Sequence, residues 1–288
     1  MCIYNKLIQN RRYLPNRKNQ GFVPRCDDKR KLYVSAGCGQ CAECRKQIIS
    51  SWVVRIEKEE EYSDVKGKFV TFTFSDESIE ELKGKINDPK LKDDPNEIAR
   101  IAIRLFQKRW IKKHKKTIRH FATSELGETT KRIHLHAIVW TNYPEDLQEI
   151  WKYGTVEEKS IKEQKAGYVA KYIQKRDSDV PNFKGKVFTS PGIGKKYLES
   201  TEARKIAENK GYGKMILKRR NGRIAAIPMY YRQKLFTEEE RDQQWTKILD
   251  KQERWVNGNK IKVDTQKGIR EYKNAVEYER KRQKKLGY

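Results

Sequence analysis

His134 and His136 flank a single leucine in the run Ile133-His134-Leu135-His136-Ala137-Ile138-Val139-Trp140. Strand side chains alternate faces with a period of two, so an extended run places both imidazoles on one side and Leu135 on the other. Two imidazoles so placed suit a metal centre. Downstream, Tyr168 and Tyr172 lie one helical turn apart, with Lys171 three residues after Tyr168 and directly before Tyr172. Residues three and four apart share a helix face, so two phenols and a cation can address one phosphate. A phenol with a pKa of about 10 is a poor nucleophile at neutral pH, and a nearby cation or metal ion favours the phenolate. Together the two runs describe a metal-assisted tyrosine nucleophile with a spare.

Each motif has a plainer reading. Two histidines on one face of an apolar strand are hard to explain as packing, because each would need its own hydrogen-bond partner. The chain has four histidines; His114 and His120 fall in or after the basic run Lys112–Arg119 and read as ordinary surface residues. A third ligand is expected from the preceding strand, where Glu125 in Ser124-Glu125-Leu126-Gly127 is best placed. Glu128 reads instead as a solvated turn residue. Two imidazoles and a carboxylate leave positions open for substrate oxygens, which suits Mg²⁺ or Mn²⁺ at a phosphodiester. The same set also holds ferrous iron in oxygenases; the charge of the chain and the tyrosines favour the phosphodiester. For the tyrosines the rival is packing against a sheet, but Val169 and Ile173 are available as the inward face.

Positioning these groups takes a strand, helix, strand, strand, helix order. Lys68 to Phe74 alternates and is rich in aromatic and β-branched residues, as a strand requires. Asp94-Pro95-Asn96-Glu97 is a helix start, followed by Ile98, Ile101, Leu105, Phe106 and Trp110 at helical spacing. Ile118 to Leu126 and Arg132 to Thr141 read as two strands joined by Gly127-Glu128-Thr129-Thr130-Lys131, and Ser160 to Lys175 as the tyrosine helix. Antiparallel strands with helices packed on one side make an α+β fold around a central antiparallel sheet. A Walker-type phosphate loop and a dinucleotide fingerprint are both missing, which argues against ATP- or NAD-driven chemistry.

At 288 residues, the chain can bury a sizeable core. Its formal charge of +26 points to a polyanionic partner. Residues 181–288 carry +15 of it, against +6 for 1–66 and +5 for 67–180. That unevenness suggests an N-terminal Cys-containing segment and helix (1–66), a catalytic core (67–180) and a basic DNA-handling extension (181–288). No apolar run approaches the roughly 18 residues that span a bilayer. A soluble intracellular protein without a membrane partner is the expectation.

The strand Phe69-Val70-Thr71-Phe72-Thr73, the His-hydrophobic-His of 134–136 and the Tyr-x-x-Lys-Tyr of 168–172 together resemble the HUH endonucleases. Within them the chain is most similar to replication-initiation proteins of small single-stranded DNA phages, the microviruses. Met1-Cys2-Ile3-Tyr4 and Gly37-Cys38-Gly39-Gln40-Cys41-Ala42-Glu43-Cys44-Arg45 resemble their gut-associated, gokushovirus-like branch. The resemblance covers about the first 180 residues. It implies an enzyme that nicks and rejoins DNA in rolling-circle replication, in the cytoplasm of a bacterial host. One tyrosine attacks the scissile phosphate and leaves a covalent 5′-phosphotyrosine and a free 3′-hydroxyl; the second later cleaves the regenerated origin. It makes His134 and His136 metal ligands, Glu125 the third, Tyr168 and Tyr172 the nucleophiles and Lys171 an auxiliary cation, with Mg²⁺ or Mn²⁺ as cofactor. The partners implied are single-stranded DNA, replicative-form origin DNA, and host helicase and polymerase. Ile133 departs from the proline that many relatives carry before the first histidine. Rival readings are a non-enzymatic single-stranded nucleic-acid-binding protein, and an HUH enzyme of a plasmid or transposon.

Five cysteines include Cys38, Cys41 and Cys44 at three-residue spacing, with Cys2 and Cys26 upstream. In a reduced compartment such a cluster suggests structural zinc, with Cys2 or Cys26 folding back as fourth ligand. The alternative is reduced cysteines at the start of a helix running from Cys44 to Glu60. Further on, Asn221-Gly222 between two apolar runs predicts a hairpin with a basic tip of Lys218, Arg219, Arg220 and Arg223, suited to gripping phosphates, with Tyr230, Tyr231 and Arg232 as stacking partners. From Thr237 the chain reads as charged helices ending in a partly disordered basic tail.

Overall fold

The computed structural model describes residues 2–159, 166–167, 172–173, 179–180, 182–210 and 215–286. They gather into two units, one from Met1–Ser50, Glu202–Ile216 and Met229–Tyr288, the other from Ser51–Thr201 and Leu217–Pro228. The first unit opens with an antiparallel ribbon of β1 (Lys6–Gln9) and β2 (Tyr33–Ala36). Helix α1 (Ala42–Tyr62) follows, contributing its first turns to this unit and the rest to the second.

In the second unit the chain runs through β3 (Gly67–Phe72), α2 (Asp76–Lys83), α3 (Pro95–His114), β4 (Arg119–Leu126), β5 (Ile133–Trp140), α4 (Asp146–Trp151), β6 (Val156–Lys159) and β7 (Val187–Thr189). Five strands make one antiparallel sheet in the order β6-β3-β5-β4-β7. Strand β5 is central, and seven of its eight residues are buried because both of its faces are covered. On one face Val70, Phe72, Ala122, Leu135, Ala137 and Val139 pack with Ile98, Ala102, Phe106 and Trp110 of α3. That helix starts as its sequence dictates: the Asp94 side chain accepts from the Asn96 amide and Pro95 occupies the first turn, where its missing N–H costs nothing. The other face is also covered at one end, contrary to the expectation of helices on one side. Trp52 of α1 meets Phe121 at a ring distance of 4.9 Å, and Glu59 of α1 binds Arg119. The apolar side chains of Phe69, Phe121 and Ile138 on that face require the cover.

The two remaining histidines are not surface residues. The His114 ring lies between Trp110 and Tyr143, at 4.3 and 4.5 Å, with Nε2 2.9 Å from the Asp146 carboxylate. His120 Nδ1 is 2.9 Å from both Gln107 Nε2 and Ser190 Oγ. Burial pushes the His120 imidazole down to about 4, so it is neutral at neutral pH. A basic sequence neighbourhood concealed both, because lysines on one side of a helix end leave the other side free to pack. His120 lines a cavity of about 630 Å³ with Trp110, Arg119, Trp140, Asn142 and Ser190.

Strands β8 (Ile216–Lys218) and β9 (Ile224–Ala226) form the expected hairpin, with Gly222 at φ +78° in its turn. The rest of the first unit comprises α5 (Thr201–Glu208), α6 (Met229–Leu235), α7 (Glu238–Asp250), β10 (Glu253–Val256), β11 (Asn259–Lys262) and α8 (Gln266–Lys285). The C-terminal region is therefore more ordered than expected. A second hairpin, β10–β11, turns at Asn257-Gly258, both at positive φ, and the basic tail is helical to Lys285. The Asn-Gly pair is a legible turn signal, hidden here among the charges. Among the described residues, no helix is long and apolar enough to cross a membrane.

Candidate active site

The sheet register assembles the site. His136 stands opposite Thr71 of β3 and Thr123 of β4, and His134 stands opposite Glu125. All five side chains therefore project from the same face, beyond the end that α1 covers. His136 is the hub of the group. Its Nδ1 lies 3.3 Å from the Thr71 hydroxyl and its Nε2 2.5 Å from Glu125 Oε2. The His136 and Glu125 side chains are both nearly buried, at 11% and 12% exposure, so the contact is shielded from water. Tyr172 lies face to face on the His136 ring, with centroids 3.8 Å apart and planes 17° from parallel, and the Phe69 ring stacks nearby at 6.2 Å.

His134 is placed differently. Its ring passes over Gly127, where an added Cβ would meet Cε1 at 2.7 Å. Burial pushes its pKa down, His136 adds to that shift, and Glu125 and Glu157 oppose it. A neutral imidazole keeps a lone pair available. Glu157, on the edge strand β6 opposite Thr71, is an acidic group on this face that sequence reasoning missed; its strand is only four residues long and exposed in pattern, which hides its pairing. The close approach at Gly127 gives a direct test. Gly127→Ala is expected to displace the His134 ring and reduce metal-dependent nicking by roughly tenfold, as loss of ligand orientation does, with the melting temperature little changed. Unchanged nicking would show that the position of His134 is immaterial.

Whether a divalent ion fits depends on the donor set. Glu125, His134 and His136 offer one oxygen and two nitrogens on one face, a mixture that accepts a hard or borderline cation. Thr123, fully buried beside His136, has a hydroxyl with no hydrogen-bond partner among the described residues, as at a pocket floor meant to face a polar guest. Among the described residues, however, only the cysteines discussed below bring three or more donors within 4.8 Å of one another. His134 thus stands outside the close His136–Glu125 pair, where direct hydrogen bonding draws Glu125 to one imidazole.

Other expected site residues are dispersed. Tyr168, Lys171 and most of the expected helix Ser160–Lys175 lie outside the described residues; Ala166, Gly167 and Tyr172 are helical and Ile173 is buried. On the hairpin, Lys218, Arg220 and Arg223 are exposed, but Arg219 is half-buried in a two-pronged pair with Glu57 at 2.7 and 3.0 Å. Arg219 therefore helps to anchor the hairpin. Tyr231 is fully buried and cannot stack on a base, and Arg232 is half-buried with its pKa pushed down by burial and by Arg241. Cys38, Cys41 and Cys44 meet Cys2, whereas Cys26 turns away and its thiol donates to the Asp28 carbonyl at 3.1 Å.

With this geometry in view, the comparisons fall on the same segment. Residues 67–177 match the ORF2-type family of replication-associated proteins. The matched stretch contains the β3 strand, the histidine pair and the tyrosine motif. Replication-associated protein VP4 of Bdellovibrio phage phiMH2K is 25% identical over 222 residues, covering 67% of this chain. The alignment spans 65% of that relative's length. No solved structure matches the chain. Both matches support the resemblance to a phage rolling-circle replication initiator.

Proposed function

We propose that this chain is a replication initiator that nicks single-stranded viral origin DNA through a tyrosine and rejoins strands to end rolling-circle replication. The observation that carries the reading is Tyr172 stacked on the very imidazole that binds Glu125. A phenol against a histidine–carboxylate pair on a sheet face is the juxtaposition that phosphodiester transfer by tyrosine needs. The phage relative, named for replication, supports the biological setting.

In this reading Tyr168 or Tyr172 attacks the scissile phosphorus through its phenolate oxygen. The bond to the 3′ oxygen breaks, that oxygen takes a proton, and a 5′-phosphotyrosine and a free 3′-hydroxyl remain. Host polymerase extends the hydroxyl while a host helicase opens the duplex. The other tyrosine then cleaves the regenerated origin, and the freed 3′-hydroxyl attacks the first phosphotyrosine to close the circle. Thr71 and Glu125 fix the orientation of His136 from its two nitrogens, and the imidazole in turn holds the Tyr172 ring. Lys171 offsets phosphoryl charge. His134, His136 and Glu125 would hold Mg²⁺ or Mn²⁺, which polarises a phosphate oxygen. Exposed Lys218, Arg220 and Arg223 grip backbone phosphates, and the chain acts in the cytoplasm of the host bacterium.

The test is incubation with single-stranded origin DNA and Mn²⁺ followed by denaturing electrophoresis. A covalent protein–DNA band is expected from the unmodified chain and none from the Tyr168→Phe/Tyr172→Phe double variant. No band from the unmodified chain, or a persisting band from the double variant, defeats the proposal.

A further inference from the structure

Four of the five cysteines converge in the first unit from two places in the sequence. The Sγ atoms of Cys2, Cys38, Cys41 and Cys44 all lie within 4.8 Å of one another. Cys2, Cys41 and Cys44 are buried and Cys38 is half-buried, and all are free thiols. A tetrahedral zinc with Zn–S bonds of about 2.3 Å sets its sulfurs about 3.8 Å apart, and Cys41 Sγ is 3.8 Å from Cys2 Sγ.

The backbone around the cluster is arranged for sulfur that carries charge. The Cys38 amide donates to Cys2 Sγ at 3.2 Å, and the amides of Gln40 and Cys41 donate to Cys38 Sγ at 3.4 and 3.3 Å. Three amides aimed at two sulfurs stabilise thiolates far more than neutral thiols. Gly39, at φ +74°, makes the tight turn that lets Cys38 and Cys41 face one point. At Gly37 an added Cβ would come within 3.0 Å of Cys44 Sγ, so the loop has no spare room. Cys44 lies in the first turn of α1, whose positive end favours a thiolate.

We infer that Cys2, Cys38, Cys41 and Cys44 form a closed tetrathiolate zinc site with a structural role, and that Cys26 takes no part. Four protein sulfurs leave no coordination position for substrate, which distinguishes a structural from a catalytic zinc. The ion joins residue 2 to the start of α1. Helix α8 holds the same two segments from outside: Arg280 donates to the Ile3 carbonyl at 2.7 and 2.9 Å, and the Ala42 amide donates to Gln283 Oε1 at 3.3 Å. Small apolar contacts with Val256 and Val276 complete the surroundings. A core this thin gains much from a metal clip, because an ion bound only by the folded chain stabilises it by mass action. The inference is independent of the nicking reaction.

Full-length chain purified without chelator is expected to carry one zinc per chain by elemental mass spectrometry. Cobalt(II) in its place is expected to show the sulfur-to-metal charge-transfer band and visible absorption of a tetrahedral tetrathiolate. This spectrum counts the sulfurs in the unmodified chain, so it needs no variant that folds. Cys26→Ser should keep the metal and spectrum, and Cys2→Ser should lose or weaken both. Failure of the reduced chain to take up zinc, a cobalt spectrum of fewer than four thiolates, or loss of metal in Cys26→Ser with retention in Cys2→Ser overturns the assignment.

Discussion

Glu125→Gln is expected to slow nicking of single-stranded origin DNA by roughly 10²-fold or more, about 3 kcal/mol of transition-state stabilisation. The substitution keeps the shape of the side chain and exchanges an anionic oxygen for an amide. It acts at a contact of 2.5 Å between two nearly buried groups, where charge is poorly screened. Glu125 has two tasks in the proposed reaction, holding His136 against Thr71 and supplying the anionic ligand, and glutamine performs only the first. The measurement is the initial rate of covalent adduct formation with Mn²⁺, beside a far-ultraviolet circular dichroism spectrum that should not change. A variant as fast as the unmodified chain would remove Glu125 from the chemistry.

Trp151→Ala is expected to destabilise the second unit by about 3–5 kcal/mol, enough to unfold much of the population of a marginally stable domain. Trp151 is 1% exposed, and its ring meets Phe72 at 4.6 Å, Phe74 at 5.2 Å, Tyr153 at 5.3 Å and Phe106 at 5.8 Å. Its indole N–H donates to the Thr73 carbonyl at 2.8 Å. Removing the ring leaves a large cavity and an unpaired carbonyl just past the end of β3, the strand that presents Thr71 to His136. Chemical denaturation monitored by tyrosine and tryptophan fluorescence reads the loss. Trp151→Phe, which keeps most of the packing, should fall between the two; a loss below about 1 kcal/mol for alanine would contradict the packing account.

Several features were legible because they depend on local periodicity. The alternation of β5 places His134 and His136 on one face whatever lies around them, Asp94-Pro95 caps its helix by its own chemistry, and Asn221-Gly222 turns its hairpin. Glu125 was reachable too, since a short connection between antiparallel strands makes register nearly predictable, and the structure sets it opposite His134. The surface reading of His114 and His120 failed for the opposite reason. Whether a histidine is enclosed depends on Trp110, Tyr143, Gln107 and Ser190, which reach it from separate elements. Arg219 and Tyr231 escaped in the same way, one taken up by Glu57 and the other sunk in the interior.

Residue order alone thus specified the chemical vocabulary: paired imidazoles, a carboxylate on the adjoining strand, tyrosines on one helix face and cysteines at three-residue spacing. Those are properties of backbone geometry within ten or so residues, which secondary structure repeats faithfully. Which groups meet was left to tertiary packing. Glu125 pairs with His136 more closely than with His134, Tyr172 lies on the His136 ring, and Cys2 rather than Cys26 joins Cys38, Cys41 and Cys44. Each of these choices brings together groups that no local rule relates, and each is made by the burial of apolar surface around them.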